Sequence, residues 1–254
     1  MQKSNVQFEN RKDGHYYSED EKVWYPSVTA VLRHYPKGEK FYEWVARNGY
    51  NAENIKKAAG DVGTTVHNAI EKFVQSGDLC SSADDLGPEE YMAVLGFSRW
   101  YASRHPTILA QELPVISHRM QVGGTVDIVA TIDDSLYVID LKTSRHIGST
   151  FWLQLHAYAH CLCEMKKWSP ARLMVLHLNP IYDTGYREVA RPYRHDVLRQ
   201  FYALRYLHDH VARNDRTRTE EQECDDKEWP GQGSSYPDEE HLVIWQSSSR
   251  ELPV

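Results

Sequence analysis

The sequence predicts an α/β or α+β domain: a central mixed β-sheet flanked by helices, preceded by an N-terminal helical region. Three observations carry this expectation. Apolar residues recur at helical spacing through the first part of the chain. Three strand-like runs then follow one another up to Leu141, and beyond them come a helix, two strands and a helix. At 254 residues the chain is long enough to bury a substantial core.

Taken in order, Met1–Trp24 is polar, punctuated by Phe8, Tyr16, Tyr17 and Trp24, and suits a short hairpin or extended arm. Tyr25–Leu32 opens a helix with Ser27 as N-cap, and Pro36-Lys37-Gly38 stops it. Phe41–Asn48 and Ala52–Ala59 read as two short helices separated by Gly49. Val62–Gln75 is a further helix, with Val66, Ala69, Ile70 and Phe73 on one buried face and Gly77 at its end. After a loop at Cys80–Pro88, Pro88–His105 returns to helix. Ile108–Ser117, Met120–Ile132 and Ser135–Leu141 are successive strands. Phe151–Trp168 is a helix, Arg172–Leu178 and Tyr186–Arg191 are strands, and Arg194–Ala212 is the last helix. Asp215–Glu240 is acidic, rich in Gly, Ser and Pro, and reads as a mobile tail; His241–Trp245 reads as a late strand or docked segment. The division expected is 1–107 for the arm and helical region, 108–214 for the core and 215–254 for the tail, with one compact domain overall.

Met1 to Lys12 lacks the apolar stretch of a signal peptide, and no run approaches the roughly 18 apolar residues of a membrane span. Four scattered cysteines suit a reducing cytosol rather than a disulfide framework. The expectation is therefore a cytoplasmic protein that does not engage a membrane. The net charge of −7 conceals a partition: 142–218 holds 13 basic and 6 acidic residues, whereas 219–254 holds 2 and 10. A basic segment starting at Lys142 is compatible with phosphate binding, and equally with solvated helix faces.

The two strands Gly123–Ala130 and Leu136–Ser144 each carry a carboxylate where a core strand would carry another Val or Ile. Asp140 and Lys142, two apart, share one strand face. Hard cations such as Mg²⁺ take one or two carboxylates plus water and substrate phosphate, so Asp127 and Asp140 suit such an ion. Lys142 beside them would hold or deprotonate a water, or stabilise developing charge. Glu112, mid-strand among apolar residues, either faces the same cleft or is an exposed edge carboxylate. Gly124 marks a close approach of another backbone or a substrate. Gln154 and Tyr158 lie four apart on the following helix, so both can look at one target. His156 and His160 have a zinc-compatible spacing without the Glu of H-E-x-x-H and read as packing or rim residues.

The segments Gly63-Thr64-Thr65-Val66-His67-x-x-Ile70-Glu71, Gly124-x-x-Asp127, Ile139-Asp140-Leu141-Lys142-Thr143-Ser144 and Gln154-x-x-x-Tyr158 occur in this order. Together they resemble the RecB-like branch of the PD-(D/E)XK nuclease superfamily. Tyr25-Pro26-Ser27-Val28-Thr29 is similar to the opening of its phage exonucleases and of the mitochondrial genome-maintenance exonuclease. The resemblance implies a restriction-endonuclease-like core and divalent metal, Mg²⁺ or Mn²⁺, held by His67, Asp127, Asp140 and the Leu141 carbonyl. It implies Lys142 as the catalytic lysine, Glu112 as a further active-site carboxylate, and DNA contacts from Gln154, Tyr158, Ser27, Thr143 and Ser144. Some relatives hold an iron–sulfur cluster on four cysteines; Cys80, Cys161, Cys163 and Cys224 are not spaced for it, and no cluster is expected.

The expected function is thus a metal-dependent DNA nuclease. An exonuclease on single strands or DNA ends, in phage or bacterial recombination, repair or replication, comes first. A recombination or single-strand-binding protein is a possible partner. The alternatives are a structure-specific endonuclease and a non-catalytic DNA-binding partner with the same fold.

Overall fold

The computed structural model describes residues 5–11, 14–79, 86–166 and 168–225, with the backbone alone described for 212–225. The chain divides into two units, Met1–Val211 and Ala212–Val254. The sheets and the site described below lie in the first.

The N-terminal arm folds as a small antiparallel sheet of β1 (Gln7–Arg11), β2 (Gly14–Ser18) and β3 (Tyr25–Pro26). Ser27 then caps α1 (Val28–Leu32), its hydroxyl accepting from the Ala30 N–H at 3.0 Å. Helix α2 (Glu39–Asn48) stops at Gly49, whose φ of +50° only glycine adopts without strain. The two helices expected at 52–59 and 62–75 are one, α3 (Asn51–Ser76), running unbroken through Gly60 and Gly63. Each mid-helix glycine costs about 1 kcal/mol relative to Ala. Together with Ala58 and Ala59, these residues leave the stretch 58–60 and 63 of α3 with little side-chain bulk towards the cleft. Helix α4 (Pro88–Arg104) follows, with Pro88 in its first turn.

The central sheet has the order β4 (Thr107–Ser117), β5 (Val122–Ile132), β6 (Ser135–Lys142), β7 (Arg172–Leu178) and β8 (Tyr186–Pro192). Only β6 and β7 pair in parallel, and α5 (Ser149–Lys166) makes the crossover between them. The result is a mixed sheet flanked by helices, as in the restriction-endonuclease-like fold. One face carries Val138, Leu173 and Val175 against α5, α1 and the start of α6 (Leu198–Asp225). The other carries Ile139, Leu141 and Met174 against α3 and α4. Burial of these apolar residues on two faces drives the assembly, at roughly 25 cal/mol per Å².

Where a mobile tail is expected from Asp215, the backbone is helical as far as Asp225. No Gly or Pro interrupts that stretch, and Glu220, Glu221 and Gln222 favour helix. The rest of that tail, and the segment His241–Trp245, lie outside the described residues, as does most of the Cys80–Pro88 loop.

Candidate active site

The site forms where the sheet loses its regularity. On β4, Ala110 and Leu113 lie three apart yet pack into the same cluster, and on β5 Val126 and Val129 do the same. Strict alternation would put an odd-spaced pair on opposite faces. Both strands therefore change face in between. The register, Gln111 with Ile128 and Leu113 with Val126, sets Glu112 opposite Asp127 at that point. Glu112 has φ of +41°, a left-handed conformation costly for a non-glycine residue. The β5–β6 ladder ends with Ile128 paired to Ile139. Beyond it the Leu141 N–H donates to Asp127 Oδ2 at 2.7 Å, so a carboxylate replaces a ladder acceptor and holds the parted strands together.

Helix α3 brings His67 to this point. Its Nδ1 lies 3.2 Å from Glu112 Oε1 and 3.8 Å from Asp127 Oδ1. Ligand atoms of His67, Glu112 and Asp127 all fall within 4.8 Å of one another, the one such group among the described residues. On β6, Lys142 Nζ donates to Asp140 Oδ1 at 2.7 Å, as the shared strand face requires. Asp140 Oδ2 is buried and has no hydrogen-bond partner. A carboxylate oxygen left bare in the interior is costly unless a cation completes it. Two carboxylates and one imidazole converge here, with Asp140 close enough to feel the charges of Asp127 and His67, and this oxygen-rich donor set fits a hard divalent ion.

The charges are strongly coupled. Burial works against a charged His67, but Asp127 and the hydrogen-bonded Glu112 outweigh it and raise the pKa to about 9. Burial raises Asp140 to about 6 against the pull of Lys142. Burial likewise raises Asp127, opposed by His67 and Lys142. Burial would lower Lys142, yet Asp140 and Asp127 prevail and keep the ammonium protonated.

A cleft of about 960 Å³ opens onto this cluster. Trp44 and Asn48 of α2 and Ile55, Gly60, Gly63 and His67 of α3 form one side; Glu112 and Leu141–Arg145 form the other. Thr143 and Ser144 thus line the cleft. His177, 1% exposed on β7, fixes the backbone there: its Nε2 meets the Ser144 carbonyl and its Nδ1 the Tyr182 hydroxyl at 2.9 Å. The sequence reading passed over His177; its signal was a lone His inside the apolar run Arg172–Leu178.

Gln154 and Tyr158 are buried, 9% and 4% exposed, and hydrogen-bonded to each other at 3.3 Å. Burial, and then the charge of Asp127, push the Tyr158 phenol far above its usual pKa. The Tyr158 ring lies on Gly124, and Tyr17 lies on Gly123 from the opposite face. A Cβ at either glycine would collide with the facing ring. Ser27 is 3% exposed, its hydroxyl engaged by Ala30 and Thr29, and its backbone bridges Gly123. Of His156 and His160, the first uses Nδ1 on the Trp152 carbonyl at 2.6 Å.

A mixed five-stranded sheet split at paired acids, with a lysine two residues beyond the second, defines a metal-dependent nuclease. A family profile for the PD-(D/E)XK nuclease superfamily matches residues 89–226, more than half of the chain. The chain belongs to that superfamily. A solved structure titled "Crystal structure of SSO0001" is similar over 57% of this chain and 74% of its own, at 13% identity and a TM-score of 0.31. No curated protein matches the chain. No helix among the described residues is long and apolar enough to cross a membrane.

Proposed function

We propose that the chain is a Mg²⁺- or Mn²⁺-dependent exonuclease of the RecB-like branch. It acts on single-stranded DNA or DNA ends in phage or bacterial recombination, repair or replication. The observation that carries this reading is the approach to the cluster. His67, Glu112 and Lys142 line a cleft walled by α2 and α3, which suits a strand or end fed inwards better than a duplex lying across an open face.

His67, Glu112, Asp127, Asp140 through Oδ2 and the Leu141 carbonyl would hold the ion. When bound, it supplies a water of lowered pKa and neutralises charge on the phosphoryl oxygens. Lys142, held cationic by Asp140 and Asp127, acts as a donor to the scissile phosphate or its attacking water rather than as a base. Asp140 orients that ammonium. Asp127 fixes β6 through the Leu141 N–H and so sets the spacing of both acids. Thr143 and Ser144 offer hydroxyl and backbone donors to the strand. Ser27, Gln154 and Tyr158 position it by supporting β5 from Gly123 and Gly124.

Linear and circular single-stranded DNA, each with Mg²⁺ or Mn²⁺, test the reading. The linear form is expected to be digested to short products while the circle persists. Cleavage of the circle would make the chain an endonuclease. Asp140→Asn and Lys142→Ala are each expected to lower turnover by roughly 10²–10⁴-fold, and full activity in either would overturn the mechanism.

A further inference from the structure

The catalytic cleft uses little of the basic segment that begins at Lys142. Lys142 and Arg145 line that cleft. On the α5 side of the sheet, a second cleft of about 490 Å³ lies between α5, β8 and the turn His195–Val197. Arg187 and Arg191 line it, and no carboxylate does. Arg191 stacks on Trp152, 4.0 Å from the ring centroid, which fixes its guanidinium. The Arg187 side chain is exposed and has neither a hydrogen-bond nor an ion-pair partner among the described residues. The start of α5, at Gly148 and Ser149, forms part of the wall, and the first turn of that helix carries no acidic residue. Its leading N–H groups and dipole favour an anion.

A second, independent feature points to a ligand. His156, 4% exposed, lines the cleft, and its Nδ1 is committed to the Trp152 carbonyl. Its Nε2 is buried and unpartnered. With Nδ1–H given to that carbonyl, Nε2 of the neutral ring is an acceptor; a phosphodiester carries no proton near neutral pH, so the imidazole takes one from solvent as the anion arrives, and Nε2–H then donates to a phosphate oxygen.

Register ties this cleft to the active site. Lys142 pairs with His177, and His177 pairs with Arg187. Arg187 therefore shares the face of Lys142 two strands away, about 10 Å at the usual strand spacing. That is within reach of one strand lying over both, since a single-strand groove engages several nucleotides.

We propose that the α5–β8 cleft is a second phosphate site, which grips a backbone phosphate of the same DNA strand whose scissile phosphate lies at Lys142. This rests on the nuclease reading of the Lys142 cluster. Arg187 and Arg191 neutralise the phosphate, the α5 start hydrogen-bonds it, and His156 closes its inner side.

The test is binding of fluorescent single-stranded DNA to the full chain in metal-free buffer across a salt series, beside steady-state cleavage with metal. Arg187→Ala/Arg191→Ala is expected to weaken binding about tenfold or more. The slope of log K against log salt is expected to fall by about 0.7, the loss of one phosphate contact on a single strand. KM rises while turnover at saturating DNA holds. Arg187→Ala alone, which disturbs no packing, gives about half the slope change, and the double Lys variant restores most of it. An unchanged slope and KM in the double Ala variant would overturn the proposal. So would an unchanged slope combined with Arg-dependent thermal protection by inorganic phosphate, which would make this a free-phosphate site. If wild type cleaves no DNA but the variants still lose slope, the nuclease reading fails and the phosphate site stands.

Discussion

Replacing Gly124 by Ala adds one methyl group where the Tyr158 ring of α5 lies on β5. The backbone there has no positive φ, so Ala itself is not strained, and it would gain about 0.4–1 kcal/mol from reduced unfolded-state freedom. Against that gain, the new Cβ would overlap Tyr158 Cε1 and lie 3.1 Å from Cζ and 3.2 Å from the hydroxyl oxygen. Tyr158 is 4% exposed, with Leu155, Ala157 and Ala159 buried around it on α5, so the ring has nowhere to swing. Overpacking of this kind costs about 1–3 kcal/mol. The expected net result is a fall in melting temperature of a few degrees, at about 2–4 °C per kcal/mol for a domain of this size. The cause is separable by a cycle read from urea or thermal unfolding. In a Tyr158→Phe background the penalty persists, because Cε1 and Cζ remain. In a Tyr158→Leu background it vanishes or reverses, because the methyl group then fills space. The coupling between Gly124→Ala and Tyr158→Leu is therefore about 1–3 kcal/mol. Equal penalties in all three backgrounds would refute the contact as the reason for glycine.

Two further outcomes follow from the charges at the site. The metal-free fold is expected to lose stability between about pH 6.5 and pH 9. His67 keeps its proton to about 9 in the folded chain but loses it near 6.5 when unfolded, so its contribution is complete below 6.5 and gone above 9. His67→Gln removes that decline, and parallel pH–stability curves for the two proteins would refute it. Saturating Mg²⁺ or Mn²⁺, at about 100 times Kd, is expected to stabilise the wild-type chain by about 2.7 kcal/mol, or roughly 5–10 °C. Asp127→Asn abolishes most of that shift in a thermal melt, and an undiminished shift would place the ion elsewhere.

The strands and most helices were legible because periodicity reports burial, and burial here is regular: the three-strand run appears within two residues of its expected bounds. The unbroken course of α3 was not legible. Gly60 and Gly63 have the local signature of a break, but each costs only about 1 kcal/mol, against which stand the helix formers Ala52, Glu53, Lys56, Lys57, Ala58 and Ala59 and the packed face from Val66 to Phe73. The pairing of Asp140 with Lys142 followed from strand alternation alone. The convergence of Glu112, Asp127 and His67 did not, because it depends on β4 and β5 changing face, and a face change leaves the count of apolar residues intact. Its local mark is the positive φ of Glu112, which the glutamate side chain does nothing to advertise.

The most instructive case is Gly124-x-x-Asp127. Read from sequence, the glycine made room for a backbone or a substrate. In the fold the space is taken by Tyr158 of the same chain. Two segments that looked like separate functional signatures, the glycine before the first acid and the tyrosine on the following helix, are the two sides of one packing contact. That contact holds β5 against α5 three residues from Asp127, while Tyr17 holds Gly123 from the other face. The acid thus sits on a strand clamped on both sides just before it parts from β6. The parting leaves Asp127 free to take the Leu141 N–H with one oxygen and to face His67 with the other.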